Sequence, residues 1–278
     1  MAVVTVSGCP GSPGATSTAL ALLMTWPLEF GRQVVLAECD PDGGAVVLGA
    51  LAGRSPEFGS YGMRNLGVAA SQGQLGEAFW RQLVDLADGA ANRLLLPGFT
   101  DPAQSVGLAY SWDRIAEFFT EIERVLPSHD VIVDLGRSGG TGPSAPLVRR
   151  ADLQLLVVRN TLRGIAAAQN RARALRTDLE AHSPGADGLA LVVIDEGPYG
   201  TDEVARQIGA PVAMTLPYSS QAAAVLSDGA DGGRSFQRSA LMRSARTGAE
   251  QVRALISQRR ERLAPVRLQQ EGQLHAHR

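Results

Sequence analysis

The first eighteen residues, MAVVTVSGCPGSPGATST, constrain the fold of this chain more than any other stretch. Ala2 to Val6 is short and mainly apolar, and reads as a strand buried on both faces. Gly8, Gly11 and Gly14 follow, interleaved with Pro10 and Pro13. After them come the hydroxyls of Thr16, Ser17 and Thr18 and an apolar helical stretch from Ala19 to Trp26. Strand, glycine-rich turn, hydroxyl cluster and helix make the layout of a phosphate-binding loop, in which backbone N–H groups gather around an anion at a helix start. One component is missing. The spacing G-x-x-x-x-G-K-[ST] puts a lysine immediately before the first hydroxyl, and Ala15 occupies that position.

Composition sharpens this absence. All 26 basic residues among the 278 are arginine, so no lysine elsewhere can take over. Cys9 and Cys39 are too few for a disulfide framework or a metal cluster, and suit a reducing, cytoplasmic setting. No apolar run approaches a membrane span, and no basic segment precedes the first apolar run as in a secretory leader. Charge is unevenly placed. Residues 1–233 carry 16 arginines against 25 acidic residues, while residues 234–278 carry 10 against Glu250, Glu261 and Glu271. A basic segment of this kind attracts acidic protein surfaces, DNA or anionic lipid.

Further along, strands and helices alternate. Val34–Ala37 reads as a strand that runs into Glu38-Cys39-Asp40-Pro41-Asp42-Gly43-Gly44, three carboxylates at a strand's carboxyl end. A short helix is expected over 45–52, an irregular excursion over 53–74, and a helix from Leu75 to Leu86 with Trp80 and Leu83 facing inward. Arg93–Pro97 is a strand, GFTDPAQS a loop, and Ser111 caps a helix through Arg124. Val131–Val133 runs into Asp134, and a Gly/Ser/Pro loop spans 136–146. Leu153–Val158, Leu189–Ile194 and Val212–Leu216 read as strands, and Leu162–Ala181 and Asp202–Ile208 as helices. This order predicts an α/β fold with a mostly parallel central sheet and helices on both faces. We expect one domain over 1–257 and a basic, flexible tail over 258–278.

Five segments in this order, PGSPGATST, VVLAECDPDGG, HDVIVDLG, ADLQLLVVRN and IGAPVAMTLPYSSQAAAVLSDG, resemble the ParA/MinD-type ATPases, P-loop proteins with a deviant phosphate loop. The resemblance spans roughly residues 1–230 and implies ATP and Mg²⁺ as ligands. It makes Gly11, Ser12, Pro13, Gly14, Ala15, Thr16 and Ser17 the phosphate loop and adds Pro217 to the nucleotide site. Thr16 matches the Mg²⁺-ligating hydroxyl, Asp40 the aspartate that places magnesium and the attacking water, and Asp134 the carboxylate closing the Walker B strand. Hard Mg²⁺ takes oxygen ligands, and an in-line water needs an acceptor to orient it, so these residue types suit those roles.

The departures are as informative. The two lysines of the family's loop correspond here to Pro10 and Ala15, and the first aspartate of its D-x-D-P segment is Glu38. Where the family often has a base-reading asparagine, this chain has Ile194-Asp195. Arg137 and Arg159 are the arginines nearest in sequence that could replace a lysine. Eroded loops of this kind also occur in the TadZ/CpaE pilus-localisation branch, whose receiver-like N-terminal extension this sequence lacks.

Three functions follow from the resemblance. The first is a positional, partitioning or assembly factor that dimerises, binds a protein partner or cargo, and holds nucleotide weakly or not at all. The second is a nucleotide-independent interaction module; the third is an active partition ATPase with an arginine in the lysine's place. In each, residues 234–267, with nine arginines, are expected to reach a partner, DNA or an anionic membrane, above all through Arg259, Arg260 and Arg262. The expected location is cytoplasmic, peripheral to the membrane or the nucleoid.

Overall fold

The computed structural model describes residues 2–10, 14–51, 61–87, 89–125, 128–233 and 235–264. Eight strands form one sheet: β1 (Val3–Ser7), β2 (Gln33–Glu38), β3 (Val84–Asp85), β4 (Arg93–Leu96), β5 (His129–Asp134), β6 (Leu153–Arg159), β7 (Leu189–Asp195) and β8 (Val212–Pro217). Their spatial order is β3-β4-β2-β5-β1-β6-β7-β8, and only the short edge strand β3 runs antiparallel. The strands read from hydrophobic runs are all present, because a parallel sheet covered on both faces demands such runs.

Among the described residues ten helices cover the sheet: α1 (Ala15–Thr25), α2 (Met63–Gln72), α3 (Leu75–Arg81), α4 (Ala103–Gly107), α5 (Trp112–Val125), α6 (Ala145–Arg149), α7 (Leu162–His182), α8 (Thr201–Ile208), α9 (Ser220–Ser227) and α10 (Ala240–Leu263). Alternate strand residues divide the core into two layers. Val3, Val35, Val131, Val133 and Val158 pack under α2, α3 and α5 to α8. Val4, Val6, Leu36, Ile132 and Val157 pack under α1, α9 and α10. Among the described residues no helix is long and apolar enough to cross a membrane.

The expected elements differ from the structure where local pattern was weak. Residues 46–51 form turns rather than a helix. Part of the expected excursion is helical: Met63, Leu66 and Ala70 recur at helical spacing and are buried. Gly67 dilutes that signal, and a Cβ there would fall 2.6 Å from Leu108. The helix expected from Leu75 to Leu86 stops at Arg81, and Val84–Asp85 returns as β3. Its buried aromatic is Phe79, whereas Trp80 is 37% exposed. Ala103–Gly107 and Ala145–Arg149 are short helices that begin inside segments read as loops, and α9 is an addition whose first turn is capped by the Ser219 hydroxyl.

The C-terminal region also differs. Helix α10 continues through Gln258 to Leu263, beyond the expected start of the tail. Arg259 is buried; its Nε donates to Asp187 Oδ1 at 3.1 Å and a terminal nitrogen to the Asp152 carbonyl at 3.2 Å. Arg260 grips both Asp152 oxygens at 2.7 Å, and Arg262 lies 3.2 Å from Asp187 Oδ2. Asp152 in turn accepts from the backbone N–H of Val3, so these arginines fasten the helix to the amino edge of the sheet. Arg259 and Arg260 thus dock the helix on the sheet, while the Arg262 side chain stays 63% exposed beside Asp187. Arg238, Arg243 and Arg246 remain exposed.

Removing a charged hydrogen bond at such a position costs about 1.5–3 kcal/mol. Arg259→Ala is therefore expected to lower the free energy of unfolding by that order, and Arg259→Glu by more. Equilibrium unfolding followed by circular dichroism reads both; wild-type stability in Arg259→Glu would contradict the docking role.

Candidate functional site

The carboxyl ends of β1, β2, β5, β6, β7 and β8 lie along one edge of the sheet, where open α/β folds place their ligands. Two strand ends are tied directly. The Cys39 N–H donates to the Asp134 carbonyl at 2.7 Å, and the Gly8 N–H to the Gly136 carbonyl at 2.8 Å. Asp40 lies so close to Gly136 that a Cβ there would sit 1.8 Å from Asp40 Oδ2, at a φ of +57°. Only glycine permits that approach.

The structure brings together several residues singled out in the sequence. Gly14 precedes α1, and Ala15, Thr16 and Ser17 form its first turn, with neither a side-chain cap nor an acidic residue. Ala15 is buried and contributes its methyl group to the apolar layer beneath α1. Thr16 and Ser17 are partly exposed. Gly11, Ser12 and Pro13 lie outside the described residues. Pro217 joins Gly14, Ser17 and Thr18 in lining a cavity of about 230 Å³, together with Arg159, Ile194 and Tyr218.

Asp134 is buried, and its Oδ1 accepts from the Gly136 N–H at 3.0 Å. Its Oδ2 is buried with no hydrogen-bond partner. Burial pushes the Asp134 carboxyl up to about 6, with Glu38 adding to the rise, against the Gly136 N–H and the Thr16 hydroxyl, which lower it. Asp40 is also raised to about 6, first by desolvation and then by Asp134 and Asp42, against the pull of the Asp42 N–H and of Arg137. Ser138 Oγ donates to Asp42 Oδ2 at 2.6 Å, joining the loops that follow β2 and β5.

These groups suit a hard divalent cation. An orphaned buried carboxylate oxygen beside a hydroxyl, with a second carboxylate nearby, is a donor set for Mg²⁺. Among the described residues no three His, Cys, Asp or Glu side chains converge on one point, but Mg²⁺ retains waters and phosphate oxygens and does not need such a cage. Thr16 would ligate it, with Asp40 and Asp134 supporting the ion and its waters. When bound, it would supply charge to phosphate oxygens.

Glu38 departs from a metal role. Its Oε1 accepts from Ala45 and Val46 at 2.8 and 2.9 Å, and its Oε2 from Gly98 at 3.0 Å. The longer side chain thus anchors the loops after β2 and β4, which an aspartate would not reach. Burial raises its pKa despite these three amides. Asp195 does not line the cavity; its Oδ1 accepts from Asn160 Nδ2 at 2.8 Å, and Ile194 faces the cavity instead.

Sequence reasoning missed two residues. Asn160 is buried and also bonds the backbone of Glu196, Gly197 and Tyr199, fixing the loop after β7. Arg171, on α7, donates to the Gly139 carbonyl and to Thr141 Oγ1, clasping the loop after β5. A polar residue directly after the apolar run of β6 was a visible cue for Asn160; nothing local marks Arg171.

The sheet order and the edge site define a P-loop NTPase-like α/β fold. Solved structures with this fold include a ParA family ATPase from Chlorobium tepidum, at 15% identity, covering 90% of this chain and 97% of that one, with a TM-score of 0.67. MinD from Pyrococcus horikoshii, complexed with Mg-ADP, is 14% identical over 92% of this chain and 97% of its own, with a TM-score of 0.65. MinD from Aquifex aeolicus, in a complex with MinC, is 14% identical over 91% and 96%, with a TM-score of 0.66. No family model matches the chain, and no curated protein does.

The raised carboxyls make stability depend on pH. Between their ordinary 3.8 and about 6 the folded chain binds more protons than the unfolded one, so stability is greater below this window and falls as pH rises through it. For the fully buried Asp134 the loss approaches about 3 kcal/mol. Asp134→Asn is expected to flatten that part of the profile, as urea unfolding at about pH 5 and about pH 7.5 would reveal. An unchanged slope would refute it.

Proposed function

We propose that this chain is a ParA/MinD-like positional, partitioning or assembly factor whose degenerate phosphate loop binds nucleotide weakly and does not turn it over. The observation that carries this reading is a split in the site. The hydroxyl and carboxylates suited to a cation, Thr16, Asp40 and Asp134, lie around the start of α1, while the lysine positions hold Pro10 and Ala15. The likeness to a MinD complexed with Mg-ADP supports Mg²⁺-nucleotide as the ligand class.

Magnitudes separate binding from catalysis. Losing one charged hydrogen bond weakens binding by about 10–150-fold, a deficit that millimolar ligand overcomes. Losing cationic stabilisation of a phosphoryl transition state costs about 10³–10⁵ in rate. Binding therefore survives, and hydrolysis falls to background.

Function then rests on assembly. Val106, Tyr110 and Leu162 are 75%, 97% and 70% exposed, and all lie on segments that leave the carboxyl edge through β4 or β6. Apolar groups so exposed suit a contact between protein surfaces. We infer a homodimer that forms without nucleotide and recruits a protein partner, as MinD joins MinC in the Aquifex complex. The exposed Arg243, Arg246 and Arg262 of α10, with Arg238 just before it, form a smaller basic surface than the whole segment suggests. That surface is the remaining candidate for DNA or anionic lipid.

Two measurements test this. Titration with Mg·ATP should give weak but saturable binding, while steady-state phosphate release stays at background with DNA or vesicles present. A rate that Asp40→Ala abolishes would establish an active ATPase instead. Light scattering should give a dimer mass with or without Mg·ATP; dimerisation only with nucleotide would overturn that part.

A further inference from the structure

Arg159 ends β6, opposite Ile194 of β7, and enters the cavity beside α1. Its guanidinium lies 2.8 Å from Glu196 Oε2, and its Cζ stands 5.3 Å from the centre of the Tyr218 ring. The side chain is only 22% exposed, so its charge acts where water screens it less than at an open surface. Gly14, Ser17 and Thr18 form the facing wall. Gly14 is held at a φ of +129°, and a Cβ there would lie 2.7 Å from Ile194 Cδ1, so the wall is set close against the cavity's apolar floor.

Two independent features mark this turn as incomplete. Helix α1 is eleven residues long, and its first turn has no side-chain cap and no carboxylate, leaving its leading N–H groups available to an anion. On the other flank of Thr16, Asp134 Oδ2 is buried and unpartnered. One flank thus calls for an anion and the other for a cation, the charge pattern of a phosphate that arrives with a divalent metal.

We propose that Arg159 supplies the positive charge that the phosphate loop lacks, pairing with a phosphate oxygen of a nucleoside phosphate seated between Ser17, Thr18 and Tyr218, with Glu196 as its resting partner. This rests on the nucleotide-binding reading above and specifies how that site works without lysine. The cavity, at about 230 Å³, is smaller than the usual pocket of about 300 Å³ or more for a whole small ligand. It therefore takes only the part of the ligand that meets Arg159. Arginine suits the task because its planar fork can hold Glu196 or a phosphate and keeps its charge at any working pH.

The other nearby arginines are placed differently. Arg137 is exposed on the Asp40 side of the site. Arg171 commits its two terminal nitrogens to Gly139 and Thr141. Only Arg159, of these three, shares a cavity with the first turn of α1.

Glu196 makes the proposal distinctive, since it competes with the ligand for Arg159. Calorimetric titration with Mg·ADP, sodium pyrophosphate and adenosine, on the full chain, tests it. Arg159→Ala is expected to weaken Mg·ADP binding by about tenfold or more and to leave adenosine unchanged. Glu196→Gln is expected to tighten Mg·ADP and pyrophosphate severalfold by freeing the guanidinium. Thermal melts verify that both variants are folded, and Glu196→Gln keeps the test decisive should Arg159→Ala fail to fold. Equal Mg·ADP affinity in wild type and Arg159→Ala overturns the Arg159 assignment while the nucleotide-binding reading stands. Weaker binding in Glu196→Gln overturns it as well. Binding of neither Mg·ADP nor pyrophosphate by the wild type overturns both the assignment and the reading on which it rests.

Discussion

The contact on which the rest of the site depends is the close meeting of the chain after β2 with the chain after β5. The Cys39 N–H reaches the Asp134 carbonyl, and Gly136 lets the Asp40 carboxylate lie directly on its α-carbon. A side chain at 136 would push Asp40 outward and part the two loops. Ser138 reaches across to Asp42, and the Gly136 carbonyl also receives the Gly8 N–H from the turn after β1. Three loops from three strands are thus held by one small residue and a few backbone bonds.

That arrangement concentrates negative charge. Glu38, Asp40, Asp42 and Asp134 crowd one corner, and Arg137 is the cation whose pull on Asp40 is felt there. Glu38 is compensated by three amide donors, which explains how a fully buried carboxylate persists at that position. Asp134 has a single amide donor and an empty oxygen. The two acids therefore differ in role although both are buried at the ends of adjacent strands: one ties loops, the other waits for a partner.

Most of the architecture was legible in the sequence because buried parallel strands write themselves as apolar runs, and β1, β2, β4 to β8 were each read within a residue or two. Asp40, Asp134, Thr16 and Pro217 could be placed at one edge because that edge is dictated by strand direction. Interactions that depend on tertiary distance were not legible. Arg259 and Arg260 look like a solvated basic face until Asp152 and Asp187 are seen 72 to 108 residues away across the fold. Helix α2 hid behind Gly67 and Ser71, small residues whose reason is the packing of Leu108 rather than any local preference. The role of Glu38 was half legible: the sequence showed a glutamate where the family has an aspartate, but its amide partners come from loops after two different strands.

The missing lysines and the raised carboxyls belong to one electrostatic problem. A phosphate loop ordinarily brings cationic side chains beside its acidic cluster; here the sequence offers none, and burial together with neighbouring carboxylates raises the Asp40 and Asp134 carboxyls to about 6. Polyphosphate alone would add like charge to that corner, at a cost that grows as the acids ionise. A divalent ion reverses the sign of the balance, because it lowers both carboxyls and cancels phosphate charge together. Under the function proposed here, nucleotide therefore comes to this site as its magnesium complex or scarcely at all. Affinity for free nucleotide should fall as pH rises through 6, while affinity for the magnesium complex rises or holds, since deprotonation that repels one ligand improves the donor set for the other. Parallel titrations with ADP in chelator and with Mg·ADP, on both sides of that pH, would expose the opposite slopes; parallel slopes would mean that the acidic corner takes no part in holding the ligand.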